Sequence, residues 1–198
     1  MILCSEVSFH LYHGTYEENA NKIREKGFDA IYFPNVGQIN MGKTPKDPGS
    51  LGYGLYCFEN SRENAFEFAK GFHTDSAQVI YFNFVSNNDY ILDLRDSEDL
   101  KLFNEWINDD KRSRLFNELR KKYSNNGHQK SLDGAILELY IYDLVKRFKY
   151  VTKLDAVVAN THTYFNDSAS KITTFPNGVE VCIRNLDGID LESLNVYN

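Results

Sequence analysis

The stretch VSFHLYHGT, residues 7–15, predicts the first strand of the fold and raises the first functional question. Side chains alternate between the two faces of a strand, so one face carries every second residue. On the apolar face these are Val7, Phe9, Leu11 and His13. His13 therefore ends the inward face, directly before Gly14. A histidine in this position either hydrogen-bonds within a packed core or points into a cleft, and the strand alone leaves both interpretations open.

The composition indicates one globular domain spanning residues 1–198. The chain is 42% hydrophobic and 14% aromatic, which is enough to build a sizeable core. A net charge of −6 excludes a generally basic, nucleic-acid-binding molecule. The apolar stretches of the chain are shorter than the roughly 20 residues that cross a bilayer, and the N-terminus lacks the pattern of a secretion signal. We therefore expect a cytoplasmic protein without membrane contact.

The cysteine and histidine patterns give no indication of a metal site. Cys4, Cys57 and Cys182 are odd in number and far apart, which favours reduced thiols over a disulfide framework or a zinc knuckle. His10 and His13 are three residues apart on a strand, so their side chains point to opposite faces. We expect neither a bound metal nor a disulfide.

Two units of strand, turn and helix follow each other in the first part of the chain. In the first, Thr15 with Glu18 predicts a capping box, and Gly27 predicts the helix end. In the second, the strand GYGLYCF (52–58) precedes a capping box of Asn60 with Glu63 and a helix that ends at Gly71. Residues 29–50 between the units are rich in Pro and Gly and predict a long loop.

The remaining chain predicts more strands around a helical block. Extended patterns cover QVIYFNFV (78–85), YILDL (90–94), LDAVVA (154–159) and GVEVCIRN (178–185), and helical patterns cover residues 98–124 and 132–148. The strands look antiparallel, with helices inserted between them. This order predicts an α+β fold.

Three stretches, taken in order, resemble the motifs of a known family. They are LYHGT (11–15), LGYGLYCFENSRENAFEFAK (51–70) and GVEVCIRN (178–185). Together they resemble the diphtheria-toxin type of ADP-ribosyltransferase, which includes the poly(ADP-ribose) polymerases and many bacterial mono-ADP-ribosyltransferases. The resemblance implies the ADP-ribosyltransferase fold, with two packed, mostly antiparallel sheets forming a central NAD cleft. Only the helical insertion around residues 95–150 has no counterpart in it.

The resemblance also assigns site residues. His13, Tyr56 and Glu180 match the catalytic His, Tyr and Glu of the family. NAD binding is implied for the first two and for four neighbours, Gly14, Thr15, Gly54 and Phe68. The match of Phe68 to a second aromatic ring is loose, because Glu67 occupies the ungapped position and Phe66 competes for the role.

The chemistry of NAD cleavage explains why the family needs these residue types. As the nicotinamide–ribose bond breaks, the ribose gathers positive charge, and a nearby carboxylate such as Glu180 stabilises that charge. The ring of Tyr56 can stack on the flat nicotinamide, with Phe68 on its other side. His13 is expected to donate a hydrogen bond to a ribose hydroxyl, and Gly14 allows its backbone to approach the carboxamide.

Each of these residues alone also fits a structural role. A histidine at a strand end is often a hydrogen-bonded core residue, Tyr56 is one of 13 tyrosines, and Glu180 could face solvent. Only the order of the three motifs favours the enzymatic interpretation. A G-x-S-x-G hydrolase motif is absent from the sequence, and LGYGLYC departs from the dinucleotide-binding G-x-G-x-x-G pattern at its last position.

The resemblance implies a mono-ADP-ribosyltransferase that uses NAD as substrate, without a metal. Its acceptor would be a macromolecule, either protein or nucleic acid, and its role that of a toxin, a phage-defence effector or an effector delivered into a target cell. An antitoxin or immunity protein would then be a partner. Two alternatives stay open: a module that binds NAD or ADP-ribose without transferase activity, and an NAD glycohydrolase.

Residues 106–123 bear on the acceptor because they mix aromatic and basic side chains. Such a mixture can bind single-stranded nucleic acid by stacking and charge. It also describes a helix whose aromatic rings are buried and whose charges are solvated, and we favour this second interpretation.

Overall fold

The computed structural model describes residues 5–72, 75–124, 130–147, 149, 151–165 and 174–197. The helices are α1 (Glu17–Lys26), α2 (Val36–Met41), α3 (Arg62–Lys70), α4 (Ser97–Ile107), α5 (Ser113–Arg120) and α6 (Ser131–Tyr142), which continues as a π-helix over Asp143–Arg147. The strands are β1 (Glu6–Tyr16), β2 (Leu55–Glu59), β3 (Ala77–Asn87), β4 (Ile91–Asp93), β5 (Ala156–Thr161), β6 (Gly178–Ile183) and β7 (Ile189–Tyr197).

All seven strands belong to one sheet in the order β4-β5-β6-β2-β1-β3-β7. Only β4 and β5 pair in parallel; the other neighbours are antiparallel. The α+β class is confirmed, whereas the expectation of two packed sheets is wrong. The reason is β2, which hydrogen-bonds to β1 on one side and to β6 on the other, and so joins what would otherwise be two sheets.

The junction between β1 and β2 is short. Their register contains only Leu11 opposite Glu59 and Tyr12 opposite Phe58. On its other side β1 pairs with β3 along its whole length, from Glu6 to Tyr16. From His13 onward, no strand among the described residues pairs with the edge of β1 that faces β2.

The predicted helical insertion is confirmed within the described residues. Helices α4, α5 and α6 lie between β4 and β5 in sequence and pack their aromatic side chains on one face of the sheet. Trp106, Phe116 and Tyr123 are only 7%, 9% and 3% exposed, so their rings cannot stack on bases. The basic side chains point outward or are paired, as Lys121 is with Glu118. The favoured interpretation of residues 106–123 is thus confirmed.

Neither predicted capping box forms, and the N-cap of each helix lies one residue later than predicted. Thr15 remains in β1 opposite Gln78, and Tyr16 takes the N-cap position of α1 without a side-chain bond. Before α3, Ser61 rather than Asn60 caps the helix by accepting from the Asn64 amide. Strand pairing explains the later start of α1. Thr15 and Tyr16 pair with Gln78 and Ala77 of β3, so the helix can begin only at Glu17.

Other boundaries show where the sequence patterns hold and where they fail. Gly27 ends α1 with a φ of 77°, as predicted. The loop predicted over residues 29–50 contains a helix, α2, with a complete capping box of Asn35 and Gln38. Strand β7 was not predicted at all. Its residues are mostly exposed or half-buried, so their apolar alternation is weak.

Three further expectations can be compared with the described part of the chain. Cys57 and Cys182 are free and buried, while Cys4 lies outside the described residues. Within those residues, no three His, Cys, Asp or Glu side chains are grouped so that they could hold a metal ion. None of the helices described is long and apolar enough to cross a bilayer.

Candidate active site

The three predicted catalytic residues lie on three adjacent strands: His13 on β1, Tyr56 on β2 and Glu180 on β6. Tyr56 pairs with Cys182, and Phe58 pairs with Glu180, so Tyr56 and Glu180 project from the same face of the sheet. His13 alternates with Tyr12, which pairs with Phe58, and so starts from the other face. Its imidazole nevertheless reaches β2 at the place where β1 and β2 separate.

The imidazole of His13 is bound to the backbone of Tyr56. Its Nδ1 lies 2.8 Å from the Tyr56 carbonyl oxygen, and since a carbonyl only accepts, Nδ1 carries the proton. Burial lowers the pKa of His13, and the bond to Tyr56 offsets this only in part. The ring is therefore neutral at pH 7 and its Nε2 accepts. A ribose hydroxyl would donate to His13, the reverse of the direction expected from the sequence.

This protonation state predicts a pH dependence of stability. Below the unfolded-state pKa of about 6.5, the unfolded chain takes up a proton at His13 that the folded chain does not bind. The free energy of unfolding should therefore fall as the pH drops from 6.5 towards the lower folded-state pKa. Urea denaturation between about pH 7 and pH 5 measures this slope, which should be shallower in His13→Gln. His10→Gln is the control, because His10 is exposed. If the slope were unchanged in His13→Gln and shallower in His10→Gln, His13 would not be the source of the pH dependence.

The hydroxyl of Tyr56 is held by the glycine loop, which we define as residues 49–54 (GSLGYG). It accepts from the Leu51 amide at 2.7 Å and donates to the Gly52 carbonyl at 2.8 Å. Burial raises the pKa of Tyr56 well above its ordinary value, and the nearby Cys182 and Glu180 raise it further. The phenol is therefore neutral, and its hydroxyl is bound by the loop as both donor and acceptor. The ring is half-buried and packs against the aromatic and aliphatic side chains of the helical insertion, so only its exposed part can contact a ligand.

The carboxylate of Glu180 is buried, with 8% exposure, and two hydroxyl groups hold it. Oε2 accepts from Ser50 Oγ at 3.0 Å, and Oε1 accepts from Thr163 Oγ1 at 2.6 Å. Hydroxyl donors rotate easily, so a sugar hydroxyl can take the place of either one. Ser50 and Thr163 were not predicted, because no local motif marks them and both reach Glu180 only through the fold.

Asn177 fixes the position of Thr163. Its side chain accepts from the Thr163 amide at 2.9 Å and donates to the Thr163 carbonyl at 2.7 Å. Asn64 on α3 in turn donates to the Asn177 carbonyl at 3.0 Å. The connection between β5 and β6 is thus tied to α3 at the point where it supports Glu180.

Two of the predicted NAD-binding residues also have a clear packing role. A Cβ on Gly14 would lie 2.0 Å from the Ala65 carbonyl oxygen, so only glycine lets α3 pack this closely on β1. Thr15 is buried, and its hydroxyl accepts from Asn19. What remains for a ligand is the backbone of Gly14 on the edge of β1 that β2 does not pair.

The last two predicted residues, Gly54 and Phe68, precede and follow Tyr56 in the sequence. A Cβ on Gly54 would be 2.4 Å from the Ile183 carbonyl oxygen, so this glycine lets the glycine loop pack on β6. Phe68 packs in an aromatic cluster, with its ring centroid 6.2 Å from that of Phe58 and 5.3 Å from that of Phe72. Among the described residues, no ring contact joins Phe68 to Tyr56.

Two concave surfaces lie away from these residues. A cavity of about 440 Å³ lies along α4, and one of about 360 Å³ lies between α1 and β7. Neither is lined by His13, Tyr56 or Glu180. Comparison with known proteins adds no identification: no protein-family model, no curated protein and no solved structure matches this chain.

Proposed function

We propose that the chain is a mono-ADP-ribosyltransferase whose ADP-ribosyltransferase fold has its strands joined in one sheet. It cleaves the bond between nicotinamide and ribose in NAD and transfers ADP-ribose to a macromolecular acceptor. One observation carries the proposal. A buried carboxylate, Glu180, is held by two hydroxyl donors on the same face as the ring of Tyr56, and the backbone of that tyrosine holds His13.

Glu180 stabilises the transition state. The departing nicotinamide leaves a ribose with oxocarbenium-like positive charge, and a carboxylate in a site shielded from water interacts strongly with it. The ribose 2′-hydroxyl replaces Ser50 or Thr163 as a donor to Glu180. Because the positive charge is absent from the ground state, this interaction favours turnover more than binding.

Tyr56, His13 and Gly14 orient the dinucleotide. The face of the Tyr56 ring offers stacking to the nicotinamide, while the free Nε2 of His13 accepts from a ribose hydroxyl. The unpaired edge of β1 at Gly14 offers backbone groups to the carboxamide. These three contacts are of the kinds that an aromatic amide joined to a ribose requires.

A labelling experiment can determine whether the acceptor is a protein or a nucleic acid. The buried rings of residues 106–123 remove the structural reason for preferring a nucleic acid. We expect labelled NAD, incubated with the purified chain and a cell lysate, to leave label on macromolecules. Label lost to protease but resistant to nuclease identifies a protein acceptor, and the converse identifies a nucleic acid.

The release of nicotinamide tests the reaction itself. We expect the purified chain to release nicotinamide from NAD and to retain this activity in the presence of a chelator. Release without labelled macromolecules would instead identify an NAD glycohydrolase. Binding of NAD or ADP-ribose without release would identify a binding module, and neither binding nor release would contradict the proposal altogether.

A further inference from the structure

A buried ion pair joins the helical insertion to the residue that follows β6, next to the glycine loop. Glu138 lies on α6, and Arg184 follows β6; their side chains are 7% and 9% exposed. Arg184 Nη1 lies 2.5 Å from Glu138 Oε1, and Nη2 lies 3.0 Å from Oε2, so the guanidinium binds the carboxylate with two parallel hydrogen bonds.

The same two side chains bind the backbone of the glycine loop. The Tyr53 amide donates to Glu138 Oε1 at 2.7 Å, and Arg184 Nη1 donates to the Tyr53 carbonyl at 3.0 Å. Each backbone polar group of Tyr53 is thus satisfied by one member of the pair. Since unsatisfied buried groups are costly, the loop has a strong reason to keep this conformation.

Close backbone contacts make the fit between α6 and the loop specific. A Cβ on Gly134 of α6 would lie 1.8 Å from the Gly49 carbonyl oxygen, and a Cβ on Gly52 would lie 2.3 Å from Glu138 Oε1. Gly49 and Gly52 also hydrogen-bond to each other in both directions at 3.2 Å. The loop is therefore closed on itself and seated directly on the helix.

This loop positions two of the proposed catalytic groups. Its Leu51 amide and Gly52 carbonyl hold the hydroxyl of Tyr56, and its Ser50 hydroxyl holds the carboxylate of Glu180. We infer that Glu138 and Arg184 are positioning residues, through which the helical insertion sets the geometry of Tyr56 and Glu180. The inference rests on the proposed function for its effect on catalysis, but its effect on the loop does not depend on NAD.

The test compares Glu138→Met with a matched control in the same helical block. Asp143 is also buried, accepts from Trp106 Nε1 at 2.9 Å and pairs with Arg112, but these contacts lie away from the loop. Both Glu138→Met and Asp143→Asn break a buried ion pair. We expect Glu138→Met to lower kcat/KM for nicotinamide release at least about 10-fold and Asp143→Asn to lower it less than about 2-fold.

Amide hydrogen exchange distinguishes a locally loosened glycine loop from a loss of overall stability, because overall destabilisation would speed exchange throughout the fold. In Glu138→Met, the Leu51 and Tyr53 amides should exchange at least about 10-fold faster under native conditions, while amides in β3 keep their protection. Glu138→Gln retains an acceptor for the Tyr53 amide and should restore part of both losses. Should Glu138→Met fail to fold, Glu138→Gln and Arg184→Lys carry the same comparison.

The outcomes separate the two proposals. Wild-type exchange at Leu51 and Tyr53 in a folded Glu138 variant would overturn the positioning role, as would equal losses of kcat/KM in the Asp143 control at equal stability. If the wild-type chain releases no nicotinamide, the proposed function fails. The exchange measurement then still decides whether the ion pair holds the loop.

Discussion

Replacing Glu180 with glutamine should lower the rate of nicotinamide release at least about 100-fold and leave the affinity for NAD within a few fold. Glutamine retains the size of the side chain and one carbonyl acceptor for Ser50 or Thr163. It removes the negative charge that faces the developing positive charge on the ribose. Steady-state release of nicotinamide gives kcat, and calorimetric titration with NAD gives the affinity.

The control for this variant is Glu192→Gln. Glu192 lies on β7 and is exposed, so its replacement removes the same charge from the molecule without touching the site. Its kcat should match the wild type. Equal turnover in Glu180→Gln and the wild type would end the enzymatic proposal, and a loss confined to NAD affinity would give Glu180 a binding role only.

Substitutions at Tyr56 should separate its ring from its hydroxyl. Tyr56→Ala removes the stacking surface and its attraction for the cationic nicotinamide ring, which together contribute about 1–3 kcal/mol. The expected result is a rise in KM for NAD of about 5- to 150-fold. Initial rates of nicotinamide release over a range of NAD concentrations measure it.

Tyr56→Phe is the matched variant because it keeps the ring. It leaves the Leu51 amide and the Gly52 carbonyl without their partner, and each such group costs about 1–3 kcal/mol when buried. Its main effect should therefore be a lower free energy of unfolding in urea, with a smaller rise in KM than in Tyr56→Ala. A larger rise in KM for phenylalanine than for alanine would show that the ring does not bind NAD.

Strands and their faces could be predicted wherever one face is buried. In β1, Phe9 and Leu11 are buried and His10 is exposed, as the alternation predicts. The pattern did not predict how strands join, because alternation in one strand carries no information about its neighbour. For this reason the single sheet and the short pairing of β1 with β2 emerged only from the structure.

The candidate site also combines residues that the sequence predicted with residues that only the structure reveals. The motif residues His13, Tyr56 and Glu180 could be selected from the sequence, and they lie on neighbouring strands. Their partners could not be selected, since Ser50 is 130 residues from Glu180 and Glu138 is 85 residues from Tyr53. A serine or glutamate of this kind is common in any sequence, and only the folded chain distinguishes it.

The two-pair junction between β1 and β2 has a mechanical consequence. It joins a half-sheet of four strands, β4-β5-β6-β2, to one of three, β1-β3-β7. A small rotation of one half against the other strains few backbone hydrogen bonds, whereas bending within either half strains many. The separation between His13 and Glu180 spans this junction and is therefore the dimension of the sheet that the fewest aligned residue pairs restrain, since the other strand boundaries align three to eleven pairs.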